Sequence, residues 1–155
     1  MISQKGTAVT KIVDILLIED DPGHARLVEK NLRRSGIMNK IIALPDGQTA
    51  IDYLFSEGEY ADKKLPVVPM LVLLDLNLPV LDGYQVLQRI KGDERTKYIP
   101  VVILTTTDDQ REVARCYELG CNIYITKPVE YDQFSEAIRK LGLFLTVVTV
   151  PSNGE

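Results

Sequence analysis

Four short, mostly apolar runs, each leading into a polar residue, constrain this chain more than any other feature. Ile15-Leu16-Leu17-Ile18 leads into Glu19-Asp20-Asp21, and Met70-Leu71-Val72-Leu73-Leu74 leads into Asp75. Val101-Val102-Ile103-Leu104 leads into Thr105, and Ile123-Tyr124-Ile125-Thr126 leads into Lys127-Pro128. Runs of this length with no strict polar alternation suit strands that are covered on both faces. Amphipathic stretches separate them, which is the alternation of a parallel sheet sandwiched between helices. In such a sheet the carboxyl ends of the strands share one edge, and ligands bind in the crevice beyond it. The pattern therefore predicts three carboxylates, a hydroxyl and an ammonium gathered at one place.

Strands are expected at about 14–19, 40–44, 70–75, 101–105 and 123–126, and helices near 23–35, 47–56, 84–91, 109–119 and 131–145. Gly36 and Gly120 fall where helices should stop and suit a left-handed residue there. The stretch 57–69, charged and with two prolines, reads as a long surface loop. Residues 1–12 read as a flexible N-terminus, 13–145 as one domain, and 146–155 as an apolar tail.

With 155 residues, 45% of them hydrophobic, the chain can build one proper core. A net charge of −4 and the lack of a basic cluster argue against a nucleic-acid partner. No apolar run approaches the roughly 20 residues of a membrane span, and the polar first eleven residues contain no secretory signal core. Cys116 and Cys121 lack zinc-site spacing and read as buried structural thiols of a cytoplasmic protein.

The gathered groups point to phosphoryl chemistry on Asp75. An aspartate attacks phosphorus only where repulsion from the incoming phosphoryl oxygens is cancelled, and magnesium with oxygen ligands does this. Glu19, Asp20 and Asp75 offer carboxylates, and the turn at Leu78-Pro79 offers the backbone carbonyl of Asn77. Lys127 can pair with phosphoryl oxygens as a point charge, and Thr105 can donate its hydroxyl to one. Each acidic residue alone reads as a solvated helix cap; five elements in order on one sheet edge do not. Asp21 is assigned such a cap. His24, the single histidine, reads as a surface or cap residue rather than a ligand, so a phosphohistidine donor must lie on another protein.

The acidic triplet, Asp75 before Asn77-Leu78-Pro79-Val80-Leu81-Asp82-Gly83, Thr105-Thr106 and Lys127-Pro128 together closely resemble the receiver domain of two-component response regulators. That resemblance implies a flavodoxin-like fold: a five-stranded parallel sheet of order 2-1-3-4-5 flanked by five helices. It implies Asp75 as the phosphoacceptor served by a sensor histidine kinase, Glu19 and Asp20 as the acidic pair at a Mg2+ ion, Thr105 as the switch hydroxyl, and Lys127 as the phosphoryl-binding lysine. Tyr124 matches the switch aromatic, whose ring moves as Thr105 moves toward the phosphoryl group. The resemblance also implies that Thr106 stands where it can narrow access to Asp75, and that Asn77 and Thr107 flank the approach of a hydrolytic water.

On a helical wheel Phe134, Ile138, Leu141, Leu145 and Val148 form a stripe that suits packing on the sheet. Leu143, Val147 and Val150 fall on the opposite side and suggest a protein contact, or the β-branched run Thr146–Val150 is instead an extended segment that pairs with a partner. The whole pattern resembles the stand-alone response regulators of cyanobacterial phytochromes. That implies a phytochrome-type kinase and a homodimer through Leu143, Phe144, Val147 and Val150. The subfamily often carries Phe-Trp where this chain has Leu143-Phe144. A phosphorelay intermediate, passing its phosphoryl group to a histidine phosphotransfer protein, would use the same residues. A hydrolase of the haloacid-dehalogenase type needs an acid two places after the nucleophile, where this chain has Asn77. A phosphorylation-independent scaffold would not need both Asp75 and Lys127.

Overall fold

The computed structural model describes residues 14–61, 69, 71–128 and 130–145, with the side chains of 144 and 145 left aside. The expectations for residues 1–12, Met70, and 146–155, and so for Val147, Val148 and Val150, lie outside the described residues, as do the side chains of Phe144 and Leu145. In chain order the elements are β1 (Ile15–Ile18), α1 (Pro22–Arg34), β2 (Ile41–Leu44), α2 (Gly47–Phe55), β3 (Leu71–Leu74), α3 (Gly83–Lys91), β4 (Val101–Thr105), α4 (Gln110–Glu118), β5 (Ile123–Thr126) and α5 (Tyr131–Leu145). The strands form one parallel sheet of order β2-β1-β3-β4-β5, as the resemblance implies.

The three central strands are buried along their whole length, which explains their unbroken apolar sequence. Alternate residues feed two cores. Leu16, Ile18, Val72, Leu74, Val101 and Ile103 face α2 and α3 on one side. Ile15, Leu17, Leu71, Leu73, Val102 and Leu104 face α1 and α5 on the other, where Phe134, Ile138 and Leu141 form the sheet-facing stripe. Leu143 lies off that stripe and is exposed.

Strands end one residue inside their expected limits where Asp14, Glu19 and Asp75 stood at the ends of the apolar runs. In the stretch expected to be an irregular loop, a 3-10 turn forms at Gly58–Tyr60. There the Tyr60 ring packs edge-on against Tyr53, with centroids 5.2 Å apart. Gly36 and Gly120 adopt positive φ of 93° and 104° just past α1 and α4. Cys116 and Cys121 are buried free thiols, pushed up to about 11 by burial first.

Candidate functional site

Register brings the strand ends together. Ile18 pairs with Leu74 across β1 and β3, so the next residues, Glu19 and Asp75, stand side by side. Thr105 pairs with Thr126 across β4 and β5, and the Lys127 amide donates to the Thr105 carbonyl at 2.6 Å. This sets the lysine just beyond the hydroxyl.

Glu19, Asp75, Thr105 and Lys127 are all buried polar residues, while Asp20 is exposed at the rim. The Lys127 ammonium donates to Glu19 Oε1 at 2.7 Å and to Asp75 Oδ2 at 3.2 Å. Burial raises the Glu19 carboxyl above its ordinary value and neighbouring Asp75 adds to this, against the hydrogen bond and charge of Lys127 and the Asp21 amide. Asp75 Oδ1 accepts from the Asn77 amide at 3.0 Å, which fixes the acid against the turn that follows it. Among the described residues, the Thr105 hydroxyl is buried with no hydrogen-bond partner. A buried hydroxyl in that state is a group awaiting an acceptor.

Carboxylate oxygens of Glu19, Asp20 and Asp75 lie within 4.8 Å of one another. An all-oxygen set with one partner at the solvent rim fits a hard divalent cation that keeps several waters. Among the described residues, two buried carboxylates and one at the rim are gathered around the Lys127 ammonium, so a second cation has an electrostatic reason to enter.

The loops are built from local caps. Asp21 Oδ1 accepts from the amides of Gly23 and His24 at 2.8 and 3.2 Å, which makes it the cap of α1 as expected. Asp82 and Gln85 form a reciprocal capping box at the start of α3. Gly83 packs directly under the acid: a Cβ there would lie 2.5 Å from both the Asp75 carbonyl oxygen and Leu76 Cα. Val80, between them, is 84% exposed and holds a positive φ of 69°.

Tyr124 is half-buried, and its hydroxyl donates to the Thr107 carbonyl at 2.8 Å. Burial pushes its phenol up to about 12. Its amide, on edge strand β5, donates to the Tyr117 hydroxyl at 3.1 Å. Thr106 and Asn77 are exposed and Thr107 half-buried.

Two features escape the sequence reading. His24 is more than a surface cap residue: its Nδ1 lies 3.3 Å from the Lys127 ammonium, and its ring meets Phe134 edge-on. Nothing in the spacing reveals this, because the contact joins α1 to the segment after β5. The second is a tie between α3 and α4, where the Tyr84 hydroxyl donates to Glu112 and Arg115 stacks 3.9 Å from the Tyr84 ring. The three-residue spacing of Glu112 and Arg115 puts them on one helix face, but not which neighbour that face meets.

With fold and site in place, comparison with known proteins is decisive about class. The response regulator receiver domain family matches residues 15–139, and the chain belongs to that family. It is 40% identical over 139 residues to the response regulator Rcp1 of Synechocystis sp., covering 89% of this chain and 92% of that protein. An Mn2+-bound form of Rcp1 superposes with a TM-score of 0.83 at 39% identity, over 90% of this chain and 99% of that one. A response regulator receiver domain from Rhodospirillum rubrum gives 0.84 at 54% identity, over 92% of this chain and 100% of that one. The phosphorylated cyanobacterial phytochrome response regulator RcpA gives 0.82 at 38% identity, over 90% and 99%. No described helix is long and apolar enough to cross a membrane.

Proposed function

We propose that this chain is a response regulator whose Asp75 takes a phosphoryl group from the phosphohistidine of a phytochrome-type sensor histidine kinase. Its signal is the change of surface that follows. One observation carries the reading: the Lys127 ammonium bridges Glu19 and Asp75 at 2.7 and 3.2 Å, on the sheet edge where, among the described residues, the buried Thr105 hydroxyl has no hydrogen-bond partner.

In the transfer, an Asp75 carboxylate oxygen attacks phosphorus as the phosphorus–nitrogen bond to the donor imidazole breaks. The imidazole leaves neutral after taking a proton, and an acyl phosphate remains on Asp75. Glu19, Asp20, Asp75 and the Asn77 carbonyl are the residues that would hold Mg2+, which when bound neutralises charge on the phosphoryl oxygens. Lys127 pairs with a phosphoryl oxygen, and Thr105 donates its hydroxyl to another. Thr105 then draws the segment after β4 toward the site, and with it the Thr107 carbonyl that holds Tyr124. The surface of α4, β5 and α5 changes shape, and a downstream protein that prefers the new shape shifts the equilibrium. A second copy of the chain fits the same logic, through exposed Leu143 together with Phe144, Val147 and Val150. The resemblance to Rcp1 and RcpA supports the phytochrome-type donor.

The test is transfer from a phytochrome-type kinase carrying a labelled phosphohistidine. Label moves to the parent chain and not to Asp75→Asn; label retained by that variant at another residue overturns the assignment.

A further inference from the structure

We propose that His24 is a positioning residue for Lys127: its Nδ1 lone pair aims the ammonium at Asp75 and gives way to a phosphoryl oxygen. The inference rests on the reading of Asp75 as phosphoacceptor.

The Lys127 side chain is 3% exposed, so its ammonium must find partners inside the protein. An ammonium has three protons to donate and nothing to accept with. The structure supplies three acceptors: Glu19 Oε1 at 2.7 Å, Asp75 Oδ2 at 3.2 Å and His24 Nδ1 at 3.3 Å. A group that only donates faces the bare nitrogen of an imidazole, so the network assigns the lone pair to Nδ1 and the proton to Nε2. Asp21 Oδ2, also charged, lies 3.8 Å from this nitrogen, beyond hydrogen-bond reach.

The ring is held from two helices. Asp21 caps the amide of His24 at 3.2 Å and fixes its backbone in the first turn of α1. Phe134, 4% exposed on α5, takes the ring edge-on at a centroid distance of 5.6 Å. The His24 side chain remains 41% exposed, so it stands at the rim of the site with the lysine behind it.

Lys127 has no spare donor for an arriving phosphoryl oxygen, so one present contact must be exchanged. The two carboxylates are charged acceptors and form the stronger hydrogen bonds. The imidazole is the neutral acceptor and the longest of the three contacts, so it is the one that yields. Until then it keeps the ammonium from turning away from Asp75.

The test uses the full chain, acetyl phosphate and saturating Mg2+, with mass readout of the phosphorylated fraction over time. His24→Phe keeps a ring against Phe134 and removes the acceptor. His24→Asn loses the ring and keeps an amide oxygen near the position of Nδ1. His24→Phe is expected to lower the rate at subsaturating donor by about five- to tenfold, through a raised half-saturation, and His24→Asn by less than about twofold. In the metal-free protein, the Lys127 ammonium resonance should be protected from solvent exchange in the parent and His24→Asn, and lost in His24→Phe. Equal kinetics and exchange for His24→Phe and the parent overturn the inference, as does a His24→Asn variant as impaired as His24→Phe. A parent chain that takes a phosphoryl group neither from acetyl phosphate nor from a phytochrome-type kinase refutes the reading of Asp75, and the inference with it.

Discussion

At the scale of single residues, one cation is set among more negative charge than it can neutralise. Lys127 pairs with two buried carboxylates while Asp20 adds a third at the rim. Burial raises the Glu19 carboxyl, and the neighbouring Asp75 charge adds to the shift. Mg2+ should therefore stabilise the fold by mass action, about 2.7 kcal/mol at a hundred times its dissociation constant. Asp75→Asn removes one of the competing charges. In thermal melts it should match or exceed the parent without metal, and gain less from added Mg2+. An equal gain in both proteins would remove Asp75 from the metal site. Most of this was legible in the sequence, because each acid sits at the end of an apolar run and Asp21 could be set apart as a cap. His24 was not, since its meaning depends on Phe134 and Lys127 more than a hundred residues away.

At the scale of elements, the start of α3 does two jobs beside Asp75. The capping box of Asp82 and Gln85 starts the helix, and Gly83 lets that start approach the acid's own backbone. Asp82→Ala should cost about 1 kcal/mol in urea unfolding, the ordinary loss of an N-cap. Gly83→Ala should cost about 1–3 kcal/mol through overpacking, because the clashing atoms are backbone and cannot turn aside. It should also slow phosphorylation, whereas Asp82→Ala should leave it nearly unchanged. Similar losses of stability for the two variants, with no kinetic difference, would contradict this account. The central strands were legible because they are buried on both faces, so their runs are unbroken. The edge strands β2 and β5, largely half-buried, carry a weaker signal. The 3-10 turn at Gly58–Tyr60 was missed because the ring contact that accompanies it, Tyr60 on Tyr53, leaves no periodic pattern.

At the scale of the whole molecule, function follows from where the strand order reverses. The chain moves from β1 outward to β2, then crosses back to β3, so β1 and β3 become neighbours and their ends bring Glu19 beside Asp75. The right-handed rule for parallel crossovers then puts α1 and α5 on one face and α2, α3 and α4 on the other. That division was implicit in the βα alternation, but the ties between neighbouring elements were not. Tyr84 joins α3 to Glu112 and Arg115 of α4, and Tyr124 joins β5 to the Thr107 carbonyl. On the function proposed above, these ties are the contacts that a displacement beginning at Asp75 or Thr105 would load toward the α4–β5 surface. All of this depends on Asp75 being the residue that takes the phosphoryl group. The most direct measurement is the intact mass of the chain after incubation with a small phosphodonor and Mg2+, beside Asp75→Asn and a chelator control. The account predicts one added phosphoryl group in the parent, none in the variant and none with chelator. An equal addition to Asp75→Asn, or a parent that neither the small donor nor a phytochrome-type kinase can modify, would contradict it.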